Sequence, residues 1–305
     1  MISCLANNLS IKMLEIGKYS AGIEAICERN KQQQFKKVVK ILVVGEARVG
    51  KTSFVKSLKD EKFEQQQSIT RVTEVSSIQW QHKEGDKGLE VESKVFDFGG
   101  QEIFNFIHPI FQTSQHAIVI LVANVFAPTG KKQTKKYKEI QNQISNLRNI
   151  YEEILLVLTC FEGSEDREFP LTSAEDLYFG HDSDRVFKIS NKERNGIACV
   201  KSKITNMLHW PSVGWTISQR CSELREYFTE RNKNGEPMIL NFKEERNGIE
   251  NDLLLLHNSG WIFRSKDKNH IFTSDILITK MFQGLFRIPG NDFTEEWEIA
   301  VVKMV

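Results

Sequence analysis

One segment of the sequence has the residue types and spacing needed to bind a polyphosphate. It reads Gly45-Glu46-Ala47-Arg48-Val49-Gly50-Lys51-Thr52 and continues into Ser53. In a box of this form the glycines let backbone N–H groups wrap phosphate oxygens, the lysine reaches the terminal phosphates and the threonine hydroxyl binds Mg²⁺. A helix starting here adds the positive end of its dipole. The segment predicts a phosphate-binding P-loop, and a glycine turn without a ligand is the less favoured alternative.

A second box suits the metal and the hydrolytic water of the same chemistry. It reads Asp97-Phe98-Gly99-Gly100-Gln101-Glu102. A carboxylate at Asp97 can hold Mg²⁺ through water, the Gly100 N–H can contact a γ-phosphate, and Gln101 can orient an attacking water. A bare strand-to-helix turn is the alternative, but the position of the box at the end of a predicted strand favours the functional interpretation.

The two boxes together resemble a Ras-type GTPase, and the wording of the second resembles the Roc domain of Roco proteins. Phe104, His108 and Phe111 extend this resemblance. Roco proteins follow Roc with a COR domain, and here the leucine run 253–256 with His257 and Gly260 is similar to the early part of COR. The resemblance implies guanine nucleotide (GTP and GDP) and Mg²⁺ as ligands.

The same resemblance implies roles for further residues. Thr70 resembles the threonine that binds Mg²⁺ when a γ-phosphate is present, with Thr73 as its rival. The implied metal ligands are therefore Thr52, Thr70 and Asp97. The implied catalytic residues are Gln101, Thr70 and Lys51. Order and release of the loop around Thr70 would be the switch itself.

The base-recognition residues depart from the family pattern. The sequence has Thr159-Cys160-Phe161-Glu162 where the family has an aspartate at the last position. In the family that aspartate accepts two N–H groups of guanine. Glu162 can make the same bidentate contact, or it is a solvated acid in a loop. The selectivity for guanine is therefore an open question. Ser190-Asn191-Lys192 resembles the Ser-Ala-Lys loop that covers the base. Ala47 stands where many signalling GTPases have glycine, and its methyl group is expected to slow hydrolysis.

Alternating apolar strands and amphipathic helices must position these loops. We predict a mostly parallel, doubly wound α/β sheet of the Ras-like G-domain type, followed by a smaller α+β, winged-helix-like segment. Predicted strands cover 38–44, 74–81, 89–98, 117–123, 154–159 and 186–189, and predicted helices cover 51–59, 133–151 and 196–208. Beyond them we predict helices at 218–232, 248–258 and 274–285, with short strands at 261–264 and 270–273.

Three domains follow from this pattern. Residues 1–36 read as a short strand or turn and a helix, either an ordinary amphipathic helix or the end of one leucine-rich repeat. Residues 37–212 form the predicted Roc domain. Residues 213–305 form a partial COR domain after the Trp210-Pro211-Ser212 break. Four acidic residues beside the winged-helix-like pattern favour a packing module over a DNA reader.

Composition limits the remaining choices. The chain has 305 residues, a net charge of +1 and five scattered cysteines, which exclude a strong basic field and a disulfide framework. No apolar run is long enough to span a bilayer and no signal-peptide layout is present, so a cytoplasmic protein is predicted. The expected partners are effectors or regulators and a second copy through COR, with no nucleic acid. A slow GTPase switch is the leading hypothesis. A non-hydrolysing interaction scaffold and a P-loop ATPase are the alternatives.

Overall fold

The computed structural model describes residues 13–15, 35–64, 73–82, 89–99, 115–124, 131–159, 183–234, 239–241, 249–264 and 270–273. These residues divide into two compact units. The first unit holds the described residues between 39 and 99 and between 115 and 214. The second unit holds 13–15, 35–38 and the described residues from 215 onwards.

Six strands in the order β3-β4-β2-β5-β6-β7 are the frame of the first unit. The first four residues of β2, 35–38, belong to the second unit, where they pair with β8. Strands β2, β5, β6 and β7 run parallel to one another, and β3 and β4 form an antiparallel pair. The strand bounds are Phe35–Val44 for β2, Thr73–His82 for β3, Leu89–Phe98 for β4, Ile118–Asn124 for β5, Glu153–Thr159 for β6, Val186–Ile189 for β7 and Trp215–Ser218 for β8.

The central strands are buried because their sequences are apolar on both faces. Every residue of β6 is buried, and so is every residue of β5 except Asn124. Helices α1 (Lys51–Leu58) and α3 (Ile197–Met207) pack their apolar side chains into one cluster with the alternating residues 39, 41 and 43 of β2. Helix α2 (Lys131–Arg148) contacts β6 and buries Ile140 and Ile144, which lie outside that cluster. The mostly parallel sheet with helices and the Ras-like fold class are thus confirmed.

The second unit combines two helices with a small sheet. Its sheet order is β1-β9-β11-β10, with bounds Met13–Glu15, Ile239–Asn241, His270–Phe272 and Phe263–Arg264 in that order. Strand β1 pairs in parallel with β9, while β11 pairs antiparallel with both β9 and β10. Helices α4 (Gln219–Lys233) and α5 (Glu250–Asn258) pack around a cluster that includes Val38, Ile217 and Leu253.

Polar contacts fix the two helices of the second unit. The Ser218 hydroxyl caps α4 by accepting the Cys221 N–H at 3.1 Å. Arg220 on α4 binds the buried Asp252 carboxylate of α5 through Nε at 2.7 Å, and this ion pair links the helices. His257 accepts the Arg264 N–H on Nδ1 at 3.2 Å.

The sequence pattern misses two short strands, one strand pairing and the ends of several elements. Strand β8, strand β9 and the parallel pairing of β1 are not predicted, because each is only three or four residues long and depends on a distant partner. The helix predicted within residues 1–36, at about 21–29, and the one predicted at 274–285 lie outside the described residues. The domain bounds stay predictions. Within the described ranges, no helix is both long and apolar enough to cross a bilayer.

Candidate functional site

The predicted phosphate loop begins where strand β2 ends. Gly45 follows Val44 and has a φ of 141°, a conformation that side chains rarely adopt. A Cβ on Gly45 would lie 2.1 Å from the carbonyl oxygen of Val122 in the neighbouring strand. Glycine is therefore required here, because the loop leaves the sheet in backbone contact with β5.

Two left-handed residues shape the remainder of the loop. Arg48 has a φ of 62° and Gly50 a φ of 92°. Between them Val49 is buried and anchors the loop in the apolar cluster, whereas Ala47 and Arg48 are exposed. Helix α1 begins directly after Gly50, and its first internal bond runs from the Phe54 N–H to the Gly50 carbonyl at 2.9 Å. The loop thus leads straight into a helix N-terminus, the arrangement that favours anions.

Lys51 lies across the loop. Its Nζ donates to the carbonyl oxygens of Gly45 at 2.9 Å and Glu46 at 2.6 Å. Burial lowers the pKa of this lysine, while the nearby Asp97 and Glu46 carboxylates oppose that shift. The ammonium group is thus largely withdrawn from water and held beside the N-terminus of α1. A phosphate at this place would be attracted by the ammonium charge and by the helix dipole.

Thr52 and Asp97 join the two predicted boxes. The Thr52 hydroxyl donates to Oδ2 of Asp97 at 2.5 Å. The Asp97 side chain is buried, with 2% of the residue exposed, and its Oδ1 has no hydrogen-bond partner among the described residues. Burial raises the pKa of Asp97 to about 6, an effect that the Thr52 bond and the Lys51 charge partly offset. An orphaned buried carboxylate oxygen beside a threonine hydroxyl matches the hard oxygen donors that Mg²⁺ prefers.

The predicted base loop approaches the phosphate loop from the ends of β6 and β7. The Thr159 hydroxyl lies 2.7 Å from the Val49 carbonyl and 3.2 Å from that of Ala123. The Asn191 amide donates to the Gly50 carbonyl at 3.2 Å. Ser190 is half-buried and Lys192 is exposed. The structure therefore brings two of the predicted base-loop residues, Thr159 and Asn191, into direct contact with the phosphate loop.

Four of the predicted site residues lie outside the described ranges and stay predictions: Thr70, Gly100, Gln101 and Glu162. Thr73, the rival of Thr70, is the first residue of β3 and pairs in register with Phe98. Its neighbour Glu74 pairs with Asp97. The described residues contain no group of three or more His, Cys, Asp or Glu side chains able to hold a metal ion. A metal here would need hydroxyl, water or phosphate ligands in addition to Asp97.

Sequence reasoning missed the side-chain roles of Asn191 and Arg194. The Asn191 side chain donates to the Gly50 carbonyl, a contact that the sequence does not predict, and the covering of a base by this loop stays a prediction. Arg194 donates to the carbonyl oxygens of Ser57 at 3.2 Å and Glu61 at 3.3 Å, and no sequence motif predicts these contacts. The only available signal was the presence of hydrogen-bonding side chains beside the predicted Ser-Ala-Lys-like loop.

Comparisons with known proteins agree with this architecture. Residues 40–161 match the family model of Roc, described as "Ras of Complex, Roc, domain of DAPkinase". A solved structure of Roco2 RocCORdC from Methanosarcina barkeri, bound to GDP, is similar with a TM-score of 0.63 and 21% sequence identity. The match covers 87% of this chain and 81% of that one. The predicted resemblance is confirmed for the matched residues, and the fold is that of a RocCOR protein.

Proposed function

We propose that this chain, whose residues 40–161 match the family model of the Roc domain, is a guanine-nucleotide switch that binds GTP and GDP with Mg²⁺ and hydrolyses GTP slowly. One observation supports it above the others. Lys51, Thr52 and Asp97 meet at the ends of β2 and β4, and the glycine-shaped loop turns into a helix N-terminus beside them. Together they offer an ammonium, backbone amides and a metal-binding carboxylate to one polyphosphate.

The phosphate groups would be held by the loop from Gly45 to Ser53. Lys51 would exchange its contacts with the Gly45 and Glu46 carbonyls for contacts with phosphate oxygens, since an ammonium gains more from an anion than from neutral carbonyls. The first-turn N–H groups of α1 would bind the same oxygens. Arg48 is exposed in the same loop and adds positive charge near its rim.

Mg²⁺ would be held by Thr52 and, through water, by Asp97, with Thr70 joining when a third phosphate is present. When bound, the ion neutralises charge on the β- and γ-phosphates. Within the chain, the Thr52 hydroxyl orients the Asp97 carboxylate through Oδ2 and leaves Oδ1 directed elsewhere. The GDP in the Methanosarcina barkeri Roco2 structure supports a guanine nucleotide as the ligand here.

Base recognition would come from the loops after β6 and β7. Glu162 would accept the guanine N–H groups, and Ser190, Asn191 and Lys192 would cover the ring. The Thr159 hydroxyl donates to the Val49 carbonyl, so Thr159 would act on nucleotide binding through the phosphate loop and not by contacting the base. Gln101 would orient the hydrolytic water, and the exposed Ala47 methyl group next to the phosphates would slow the reaction. Effector binding and dimerisation through the second unit are extensions of the same proposal.

A nucleotide competition assay tests this function. Purified chain is titrated with a fluorescent GDP analogue in Mg²⁺, and unlabelled GTP, GDP and ATP are used as competitors. Displacement by GTP and GDP but not ATP is the expected result. Preference for ATP would assign the chain to another P-loop class, and absence of saturable binding would contradict the proposal. Phosphate release measured over hours separates a slow GTPase from a nucleotide-binding scaffold.

A further inference from the structure

Asn191 makes two side-chain hydrogen bonds beneath the phosphate loop. It is 8% exposed, its Nδ2 donates to the Gly50 carbonyl at 3.2 Å, and its Oδ1 accepts the Ser57 hydroxyl at 3.5 Å. Gly50 precedes Lys51 and Ser57 lies in the last turn of α1. One side chain from the predicted base loop is therefore bonded to both ends of the helix that begins at the phosphate loop.

The loop that presents Asn191 has its own internal structure. The Ser190 N–H donates to the Asn195 carbonyl at 3.0 Å, and the Ser190 hydroxyl accepts the Glu193 N–H at 3.2 Å. Gly196 closes the loop with a φ of 77°, and a Cβ there would lie 2.2 Å from the Lys188 carbonyl. These contacts hold residues 190–196 in one conformation, so the loop that carries Asn191 is itself ordered.

Arg194 binds the same loop to the far end of α1. Its guanidinium donates to the Ser57 and Glu61 carbonyls and to Oδ1 of Asp60 at 2.5 Å. Lys201 on α3 binds the other oxygen of Asp60 at 2.7 Å. A cation at a helix C-terminus complements its dipole and its terminal carbonyls. Helix α1 is consequently held against the 190–196 loop at both ends, by Asn191 and by Arg194.

The contact with the Gly50 carbonyl has a direct effect on phosphate binding. A trans peptide is planar, and the C=O of one residue and the N–H of the next point in opposite directions. Fixing the Gly50 carbonyl therefore fixes the direction of the Lys51 N–H. Thr159 acts in the same way on the preceding peptide, because its bond to the Val49 carbonyl fixes the Gly50 N–H. Two successive phosphate-loop amides are aimed by side chains from the base side of the site.

We propose that Asn191 is a positioning residue that couples the base loop to the phosphate loop, by holding the peptide between Gly50 and Lys51 in the orientation that binds phosphate. This inference rests on the proposed function. A buried asparagine with a purely structural role would need hydrogen-bond partners for its amide, but these could be any polar groups. Here the acceptor is the carbonyl at the start of α1, which also receives the Phe54 N–H, and Asn191 Nδ2 lies only 3.1 Å from where a Gly50 Cβ would stand.

The test uses the full chain with Asn191→Ala and Asn191→Asp. Aspartate keeps the acceptor for Ser57 but has no donor for Gly50. The matched control is Asn195→Ala, which removes an exposed amide of the same loop that donates to Glu193 at 3.3 Å. Hydrogen exchange of a peptide covering residues 45–55 is measured without nucleotide, and the dissociation rate of fluorescent GDP is measured with Mg²⁺.

Both Asn191 variants should exchange faster in that peptide and release GDP about tenfold faster, as expected for loss of one buried hydrogen bond. Asn195→Ala should match the unmodified chain. Unchanged exchange in the Asn191 variants would overturn the proposal, and so would faster exchange throughout the chain, which would indicate a general loss of stability. If the unmodified chain binds no GDP, the proposed function fails, while the exchange comparison still decides whether Asn191 holds the phosphate loop.

Discussion

The Thr52 hydroxyl donates a 2.5 Å hydrogen bond to Oδ2 of Asp97, a residue 45 positions further along the chain. This bond joins the first turn of α1 to the end of β4. It also fixes one carboxylate oxygen while the other stays buried without a partner among the described residues.

Asp97→Asn should stabilise the nucleotide-free chain and lower its Mg²⁺-dependent affinity for GDP. The pKa of Asp97 is raised to about 6, so the fold favours the protonated form, and stability falls as pH rises from about 4 to 6. An uncharged amide avoids this cost and should raise the free energy of unfolding at pH 7 by about 1–3 kcal/mol. Denaturant unfolding in EDTA measures the gain, and GDP titration with and without Mg²⁺ measures the loss. Glu74→Gln, at an exposed neighbour whose charge is the smallest cause of that pKa shift, should give a smaller gain, and equal stability of the two variants would contradict the prediction.

Lys51→Ala should reduce the affinity for GTP and GDP by at least about 100-fold, because it removes the ammonium that the phosphates would contact. The comparison is Lys59→Ala, at the other end of the same helix, where an exposed lysine pairs with Glu61. Lys59→Ala should bind nucleotide normally. Calorimetry on both variants gives the answer, and equal affinities would remove Lys51 from the site.

Gly45→Ala should destabilise the fold by more than about 2 kcal/mol, because its methyl group would meet the Val122 carbonyl at 2.1 Å. Ala47→Gly, two residues away at an exposed position, should change stability by no more than about 1 kcal/mol. Thermal unfolding of the two variants side by side provides the measurement. A Gly45→Ala chain as stable as the unmodified one would show that the loop leaves the sheet by another route.

Lys40 should make stability depend on pH above neutrality. It is fully buried in β2 with its Nζ 5.3 Å from the centre of the Phe96 ring, and Lys94 lies 5.8 Å from the same ring. Burial and then the Lys94 charge lower the pKa of Lys40 from 10.5 to about 7. Between these values the unfolded chain binds more protons than the folded one, so stability rises with pH from about 7 to 10.

Lys40→Met should flatten this rise and increase stability most at pH 6–7. Lys36→Met, at an exposed position of the same strand, should leave the profile unchanged. Denaturant unfolding at several pH values from 6 to 9 distinguishes them. A Lys40→Met profile parallel to that of the unmodified chain would show that other groups cause the dependence.

Gln101→Leu should leave GTP affinity within about twofold while slowing phosphate release by at least about tenfold, since leucine cannot orient water. This prediction rests on the sequence alone, because residue 101 lies outside the described ranges. Single-turnover hydrolysis with saturating GTP measures the effect. Turnover that survives the change would remove Gln101 from the mechanism.

The sequence predicted the long elements and the phosphate loop well, for local reasons. Apolar runs such as β6 and the glycine box before α1 carry their own signals, and most observed ends lie within one or two residues of the predicted ones. Helix α2 ends three residues early at Arg148, where a turn leads to the buried Tyr151. Strand β8 was missed because four residues give no periodic signal without their partner.

The side-chain roles inside the site were less predictable. The meeting of Thr52 and Asp97 followed from the family pattern, but the bonds from Thr159 to Val49 and from Asn191 to Gly50 join positions 110 and 141 residues apart. No local property of the sequence encodes such a distance. The raised pKa of Asp97 likewise depends on how deeply the folded chain buries it.

The pairing of β8 with the start of β2 affects how the protein can be divided in the laboratory. Phe35 to Val38 align antiparallel with Ser218 to Trp215, and Val38 is buried in the same cluster as Ile217. During synthesis, about 180 further residues must be added before β8 exists to pair with these four residues of β2. A recombinant fragment ended at residue 212 would leave that strand edge and Val38 uncovered and prone to self-association. Extending the fragment past residue 218, or starting it after residue 38, would avoid exposing that unpaired strand edge.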